Sequence, residues 1–243
     1  MPNTGQAAPA SPRRTAAGAV VPSEATIEVV ARLDAVAVSI RRTPVLRGLH
    51  LQLAPGEVLG VLGANGSGKS TLLQVLATLV APSAGAGRVL GHQLGTPGVA
   101  LVRPRIALVG HLPALYGSLT LAENLRFVAR LTGRDDPAVE RVLAVVGLDG
   151  AAGRRAQNCS QGMQRRAELA RVLLVDPALL LLDEVHAGLD PGAVRLVDEV
   201  VARVRTRGGA AVLVSHEPDG LSGVADRLVR IVDGGAEPVR DAP

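Results

Sequence analysis

The chain has 243 residues, a net charge of +4 and 47% hydrophobic side chains, but only one Tyr and one Phe. That length can bury an aliphatic core as one domain, alone or with a small satellite, and a single Cys excludes an internal disulfide, which fits a reducing compartment. No apolar stretch reaches the roughly 20 residues that cross a bilayer, and basic residues without interleaved aromatics favour a solvated Arg-rich surface over a nucleic-acid face.

Residues 1–24 are rich in Pro, Ala, Gly and Ser and are expected to form a disordered tail. No convincing apolar segment follows Arg13-Arg14, as a signal peptide would require. Residues 25–243 are read as one domain. Thr26 to Ile40 alternates as a strand does, and Val45 to Leu53 suits a second. Pro55-Gly56 marks a turn. Glu57 to Leu62 reads as a short buried strand running into a glycine-rich loop, and Ser70 to Val80 as a helix that stops before Pro82. Arg105 to Val109 suits a strand. Leu119 to Leu131 is a predicted helix opened by a capping box of Thr120 and Glu123. Pro137 to Val146 follows, with Asp136 as N-cap, and Ser160 to Val175 is a third helix, ended by Asp176-Pro177. Leu179 to Leu182 is wholly apolar, the pattern of a central parallel strand. Asp190-Pro191 caps a helix that runs to about Arg207 and ends at Gly208-Gly209. Ala210 to Val214 is another buried strand. The alternation predicts an α/β domain, with a helical insertion over about 112–175.

Of the 26 basic residues 25 are Arg, and the one Lys lies in "GANGSGKST", residues 63–71. Gly63 to Ser70 fits G-x-x-x-x-G-K-[ST], with a strand before it and a helix after it. Gly66 and Gly68 let the backbone turn its N–H groups towards phosphates, and the helix N-terminus adds its dipole. Lys69 supplies a compact point charge where a planar guanidinium is too large, which is why this Lys persists in an Arg-rich chain. The Ser70 hydroxyl suits Mg²⁺. The whole run Gly63, Ala64, Asn65, Gly66, Ser67, Gly68, Lys69, Ser70 and Thr71 is the candidate nucleotide loop. With no second Lys, an N-K-x-D guanine-reading motif is excluded.

"LLLLDE" places Asp183 and Glu184 at the end of a buried strand: Asp183 suits a Mg²⁺ contact and Glu184 a general base that orients water. "VLVSH" places His216 at the end of another buried strand, as a γ-phosphate contact. "AGLD" ends in Asp190, and "CSQGMQRR", residues 159–166, stands 17 residues before the acidic strand end.

With these motifs in place, residues 26 to 233 resemble the ATP-binding cassette (ABC) family. The resemblance implies a P-loop NTPase core carrying an ABC-type antiparallel β subdomain and a helical insertion, with ATP and Mg²⁺ as cofactors. Asp190 falls in the family's D-loop. The family signature is usually L-S-G-G-Q. Here Ser160 and Gly162 match, whereas Cys159, Gln161 and Met163 depart from it. In the family this segment, here Ser160, Gln161, Gly162 and Met163, completes the site of the opposite subunit. That implies a second cassette, as a homodimer sandwiching two ATP molecules. Ile40 stands where an aromatic usually stacks on adenine, so base selectivity is expected to be weak. His111 stands where the family usually has Gln. "GHLP" before "LTLAENL", together with "DEVHAGLD", resembles the ATP-binding subunit of heme exporters in cytochrome c maturation, although Val185 replaces a Pro. The other reading of His111 is an ordinary cassette whose Gln has drifted.

The resemblance therefore implies the ATP-hydrolysing motor of a membrane transporter. Its helical insertion would meet a membrane-spanning subunit at the cytoplasmic face of a bacterial membrane, with no nucleic-acid partner. One alternative is the ATP-binding subunit of another ABC exporter, with a drug, lipid or other cargo; the other is a soluble ABC ATPase acting on DNA or ribosomes. The soluble ATPase is disfavoured by the short gap between loop and signature, which lacks heptads, and by a single cassette. A small-molecule kinase has no use for "SQGM" or "AGLD".

Overall fold

The computed structural model describes residues 29–184, 191–218, 220–221 and 223–239. The tail expected over 1–24, the start of the first strand and Asp190 lie outside the described residues. Two sheets organise the rest. Strands β1 (Ala31–Ile40), β2 (Thr43–Leu53), β4 (Ala84–Val89) and β5 (His92–Gln93) form an antiparallel sheet in the order β2-β1-β4-β5. Strands β3 (Val58–Leu62), β6 (Ile106–Val109), β7 (Leu179–Asp183), β8 (Ala210–Val214), β9 (Arg227–Val232) and β10 (Gly235–Pro238) form the second, in the order β10-β9-β3-β8-β7-β6. All its pairings are parallel except the β10 edge. This is the predicted α/β core, with the antiparallel sheet as its second layer.

The apolar run of β7 has a simple cause. Leu179 to Leu182 are buried on both faces of the sheet, so no position needs a polar side chain. Leu180 and Leu182 pack with α2 (Leu121–Leu131), α3 (Asp136–Val145), α4 (Gln161–Val175) and α5 (Pro191–Thr206). Leu179 and Leu181 pack on the opposite face, with α1 (Lys69–Leu76) and the antiparallel sheet. Strand β3 divides in the same way, Val58 and Leu62 to one core, Leu59 and Val61 to the other. Burying each such side chain stabilises the fold by about 1.5–3 kcal/mol relative to exposure.

Three local expectations are corrected. Helix α1 begins at Lys69 and ends at Leu76, short of the expected Val80. Thr78 takes a left-handed backbone, φ 62°, held by Arg103, whose guanidinium donates to its carbonyl and hydroxyl. The N–H groups of Leu79 and Val80 then close back on Gln74 O. The N-cap of α3 is Asp135, not Asp136: its Oδ1 accepts from Ala138 N at 3.0 Å, the reach of a cap to the third helical residue. Four strands, β4, β5, β9 and β10, were not among the expected elements. The capping box of α2 is as predicted: Glu123 N donates to Thr120 Oγ1 and Thr120 N to Glu123 Oε2.

Candidate active site

The carboxyl ends of three neighbouring strands define the site, the usual ligand edge of a parallel sheet. β3 leads into the glycine loop, β7 ends in Asp183, and β8 leads to Ser215 and His216. The loop needs its glycines. Gly66 and Gly68 have φ of 80° and 110°, and a Cβ on Gly68 would stand 2.9 Å from Leu46 Cδ2. The loop then feeds α1 at Gly68, whose carbonyl accepts the first helical bond from Leu72 N.

Lys69 is buried and turns back over this loop. Its Nζ donates to Gly63 O at 2.7 Å and to Ala64 O at 3.0 Å. A single ammonium thus ties the loop's two ends together at the mouth of the cleft. Ser67 Oγ is buried without a hydrogen-bond partner, facing the Cα of Gly63. A buried hydroxyl left this way is a position where an added oxygen ligand would supply the missing bond, and it fits a phosphate group. The Ser70 hydroxyl donates to Asp183 Oδ2 at 2.9 Å. Two oxygens so placed, one neutral and one a carboxylate, suit a hard cation that keeps waters and phosphate oxygens as its other ligands. Among the described residues no three acidic, His or Cys side chains cluster as a self-sufficient metal site.

Glu184 follows at the strand end with a left-handed backbone, φ 50°, while its N–H donates to Val214 O at 3.0 Å. A non-glycine residue in this region is uncommon, and such positions cluster at working sites. Its Oε1 stands 3.7 Å from His216 Nδ1, and Nε2 of the same ring stands 3.6 Å from Glu217 Oε1. His111 is exposed and lines the same cleft, about 370 Å³, with Val45, Lys69, Ser70, Asp183 and Glu184.

A family model described as ABC transporter matches residues 46–187, more than half of the chain. This chain is an ABC transporter ATP-binding domain. It is 38% identical over 76% of its length, and 89% of the relative's, to the cytochrome c biogenesis ATP-binding export protein CcmA 2 of Cupriavidus metallidurans. To the CcmA protein of Rhodospirillum rubrum it is likewise 38% identical, over 74% of this chain and 76% of that one. The daunorubicin/doxorubicin resistance ATP-binding protein DrrA of Streptomyces peucetius is 37% identical over 79% of the chain, which spans only 59% of that relative. A solved ATP-binding subunit of an ABC transporter superposes with a TM-score of 0.78 at 26% identity, covering 85% of this chain and 88% of that one. The ABC domain binds and hydrolyses ATP.

Within it, the structure brings together Gly63 to Thr71, Asp183, Glu184 and His111, with His216 next to Glu184. It does not bring the signature segment to them. Ser160, Gln161, Gly162 and Met163 open α4, and none lines the cleft. Ser160 Oγ accepts from Met163 N at 3.3 Å as the N-cap. Ile40 sits at the β1–β2 hairpin, 42% exposed, and Val45 is the apolar residue on the cleft wall.

Three residues behind the His111 loop were missed. Arg165 donates to Gly110 O at 2.9 Å, Glu168 Oε1 accepts from Ala114 N at 3.0 Å, and Arg171 donates to Leu108 O at 2.8 Å. Glu168 is fully buried. Burial pushes its carboxyl above the usual range, against the pull of Arg171, the Ala114 N–H and Arg165. Burial likewise lowers Arg165, against the charges of Glu168 and Asp183. The signal was available: Glu168 stands four residues before Val172, inside the apolar stripe of α4, where a charge needs a reason.

Proposed function

We propose that this ABC ATPase powers an export step of cytochrome c biogenesis with heme as cargo, working at the cytoplasmic face of a bacterial membrane. The observation that carries the reading is the Gly110-His111-Leu112-Pro113 loop, whose His lies on the wall of the nucleotide cleft. Relatives bearing the cytochrome c biogenesis export name support it. In this reading Gly63 to Thr71 wrap the phosphates. Lys69 gives up a loop carbonyl to meet the β- and γ-phosphates, and Ser70 and Asp183 hold Mg²⁺. When bound, Mg²⁺ neutralises developing charge on the phosphate oxygens. Glu184 takes the proton of the attacking water, and His216, beside it, contacts the γ-phosphate. His111 offers a donor and an acceptor to the water when neutral. Ser160 to Met163 and Asp190 act on the ATP of a second copy, so hydrolysis requires a homodimer.

The membrane-spanning subunit would dock beside His111. Leu112 and Tyr116 are 79% and 58% exposed there. A groove of about 380 Å³ opens alongside, lined by Leu115, Tyr116, Leu125, Phe127 and Val128. No helix among the described residues is long and apolar enough to cross a membrane.

The test is a deletion strain stained for covalently bound heme. The proposal expects c-type cytochromes to be lost and restored by the wild-type gene, and a membrane subunit to co-purify with the tagged chain. Normal cytochromes in the deletion strain would refute the heme reading. Sensitivity to daunorubicin or doxorubicin in the same strain would point instead to a role in drug resistance, the property in the name of the Streptomyces relative.

A further inference from the structure

We propose that Glu168 is the positioning residue of the His111 segment: with Arg165 it pins both ends of His111-Leu112-Pro113, so that only these three residues are free to move towards the nucleotide. The inference rests on the role proposed above for His111.

The end of β6 and the loop that leads to α2 are fastened at several points. Leu108 O and Gly110 O are held by Arg171 and Arg165, and Ala114 N–H by Glu168. Beyond it, Tyr116 N donates to Asn124 Oδ1 at 2.7 Å, and the Asn124 amide donates to Tyr116 O and Thr120 O. Between Gly110 O and Ala114 N no hydrogen bond of the described residues holds 111–113, and His111 and Leu112 are exposed. A short free segment between two fixed points pivots rather than drifts, which keeps His111 in reach of the cleft.

The pins come from one helix. Arg165, Glu168 and Arg171 are spaced three apart on α4, so they lie along one side of it. The N-terminus of that helix is Ser160 to Met163. A shift of α4 when those residues engage the second copy's ATP is therefore passed to Gly110 and Ala114. Glu168 is suited to this task because its group is fixed twice over: Oε1 also stands 3.5 Å from Arg171 Nε. Its Oε2 is buried without a hydrogen bond, so only one oxygen anchors the loop.

The experiment compares Glu168→Ala, Glu168→Gln, Arg165→Met, His111→Ala and the Glu168→Ala/His111→Ala double variant in the full chain, by steady-state ATPase assay and by hydrogen exchange of the 110–116 segment. Glu168→Gln keeps an acceptor for Ala114 N–H and is expected within about twofold of wild-type kcat. Glu168→Ala is expected to lower kcat by about tenfold or more with the KM for ATP within about twofold, since only positioning is lost. Arg165→Met is expected to fall the same way by a smaller factor. Faster exchange of the Ala114 amide is expected in Glu168→Ala and not in Glu168→Gln. The double variant should be no worse than the worse single one, because both act through one group. Wild-type kcat in Glu168→Ala, unchanged exchange, or additive losses in the double variant would overturn the proposal. If His111→Ala alone keeps wild-type kcat, the role of His111 fails, and Ala114 exchange in Glu168→Ala then decides the clamp by itself.

Discussion

Replacing Lys69 by Arg keeps the charge and tests whether shape matters at the phosphate loop. The ammonium is buried, with Nζ 2.7 Å and 3.0 Å from two loop carbonyls. One small donor centre serves both, and the same centre must turn to phosphate when nucleotide enters. A guanidinium is planar and larger, and it offers its donors as a fork. The loop has little slack: a Cβ at Gly63 would stand only 2.6 Å from Ser67 Oγ. Forcing the larger head into such a site costs about 1–3 kcal/mol. Losing one charge-assisted bond to phosphate costs about 2 kcal/mol, or roughly 30-fold in affinity. Misplacing a preorganised donor at the transferred phosphoryl group lowers kcat by about 10²–10³. Lys69→Arg should therefore bind ATP about 30-fold more weakly by calorimetry and release phosphate at least about 100-fold more slowly. Wild-type kcat/KM in Lys69→Arg would refute the reasoning from the single lysine.

Thr120→Ala removes the hydroxyl that caps α2 and should destabilise the fold by about 1 kcal/mol, lowering the midpoint of thermal unfolding by about 3 °C; an unchanged midpoint would show that the capping box contributes nothing. Glu168→Gln should gain stability relative to wild type as pH rises. Burial raises the folded carboxyl above its unfolded value, so the folded state holds the proton more tightly. That contribution is fully present below the unfolded carboxyl range and is lost as pH rises through the folded value, whereas the amide does not titrate. Denaturant midpoints measured between pH 4 and pH 8 check this, and parallel curves for the two proteins would contradict it.

The parts of the site that follow strong local rules were legible in the sequence. Gly66 and Gly68 mark a turn that takes positive φ, and Lys69 folds its ammonium back on the start of that turn, as the spacing of the three residues predicts. Asp183 is found because a run of four buried Leu ends on it. The capping box of α2 is written in Thr120 and Glu123. What escaped depends on tertiary contacts. β4, Ala-Gly-Ala-Gly-Arg-Val, has almost no strand propensity of its own and is a strand because β1 offers it an edge. β10 is set by pairing with β9 and carries a Gly and a Pro. The early end of α1 is decided by Arg103, 25 residues away from the Thr78 it holds. Choosing Asp135 over Asp136 required knowing which side chain reaches Ala138. The role of Glu168 appears only when Ala114, 54 residues away, is seen against it.

The central claim is that Glu184 activates water at a site completed by a second copy of this chain. Glu184→Gln keeps the shape of the side chain and removes the base. The decisive measurement is light scattering after size-exclusion chromatography of this variant, with and without Mg²⁺ and ATP, alongside its phosphate release. The account predicts a dimer only with ATP, with ATP retained and hydrolysis nearly abolished. A variant that stays monomeric while binding ATP with normal affinity, or one that hydrolyses at the wild-type rate, would contradict it.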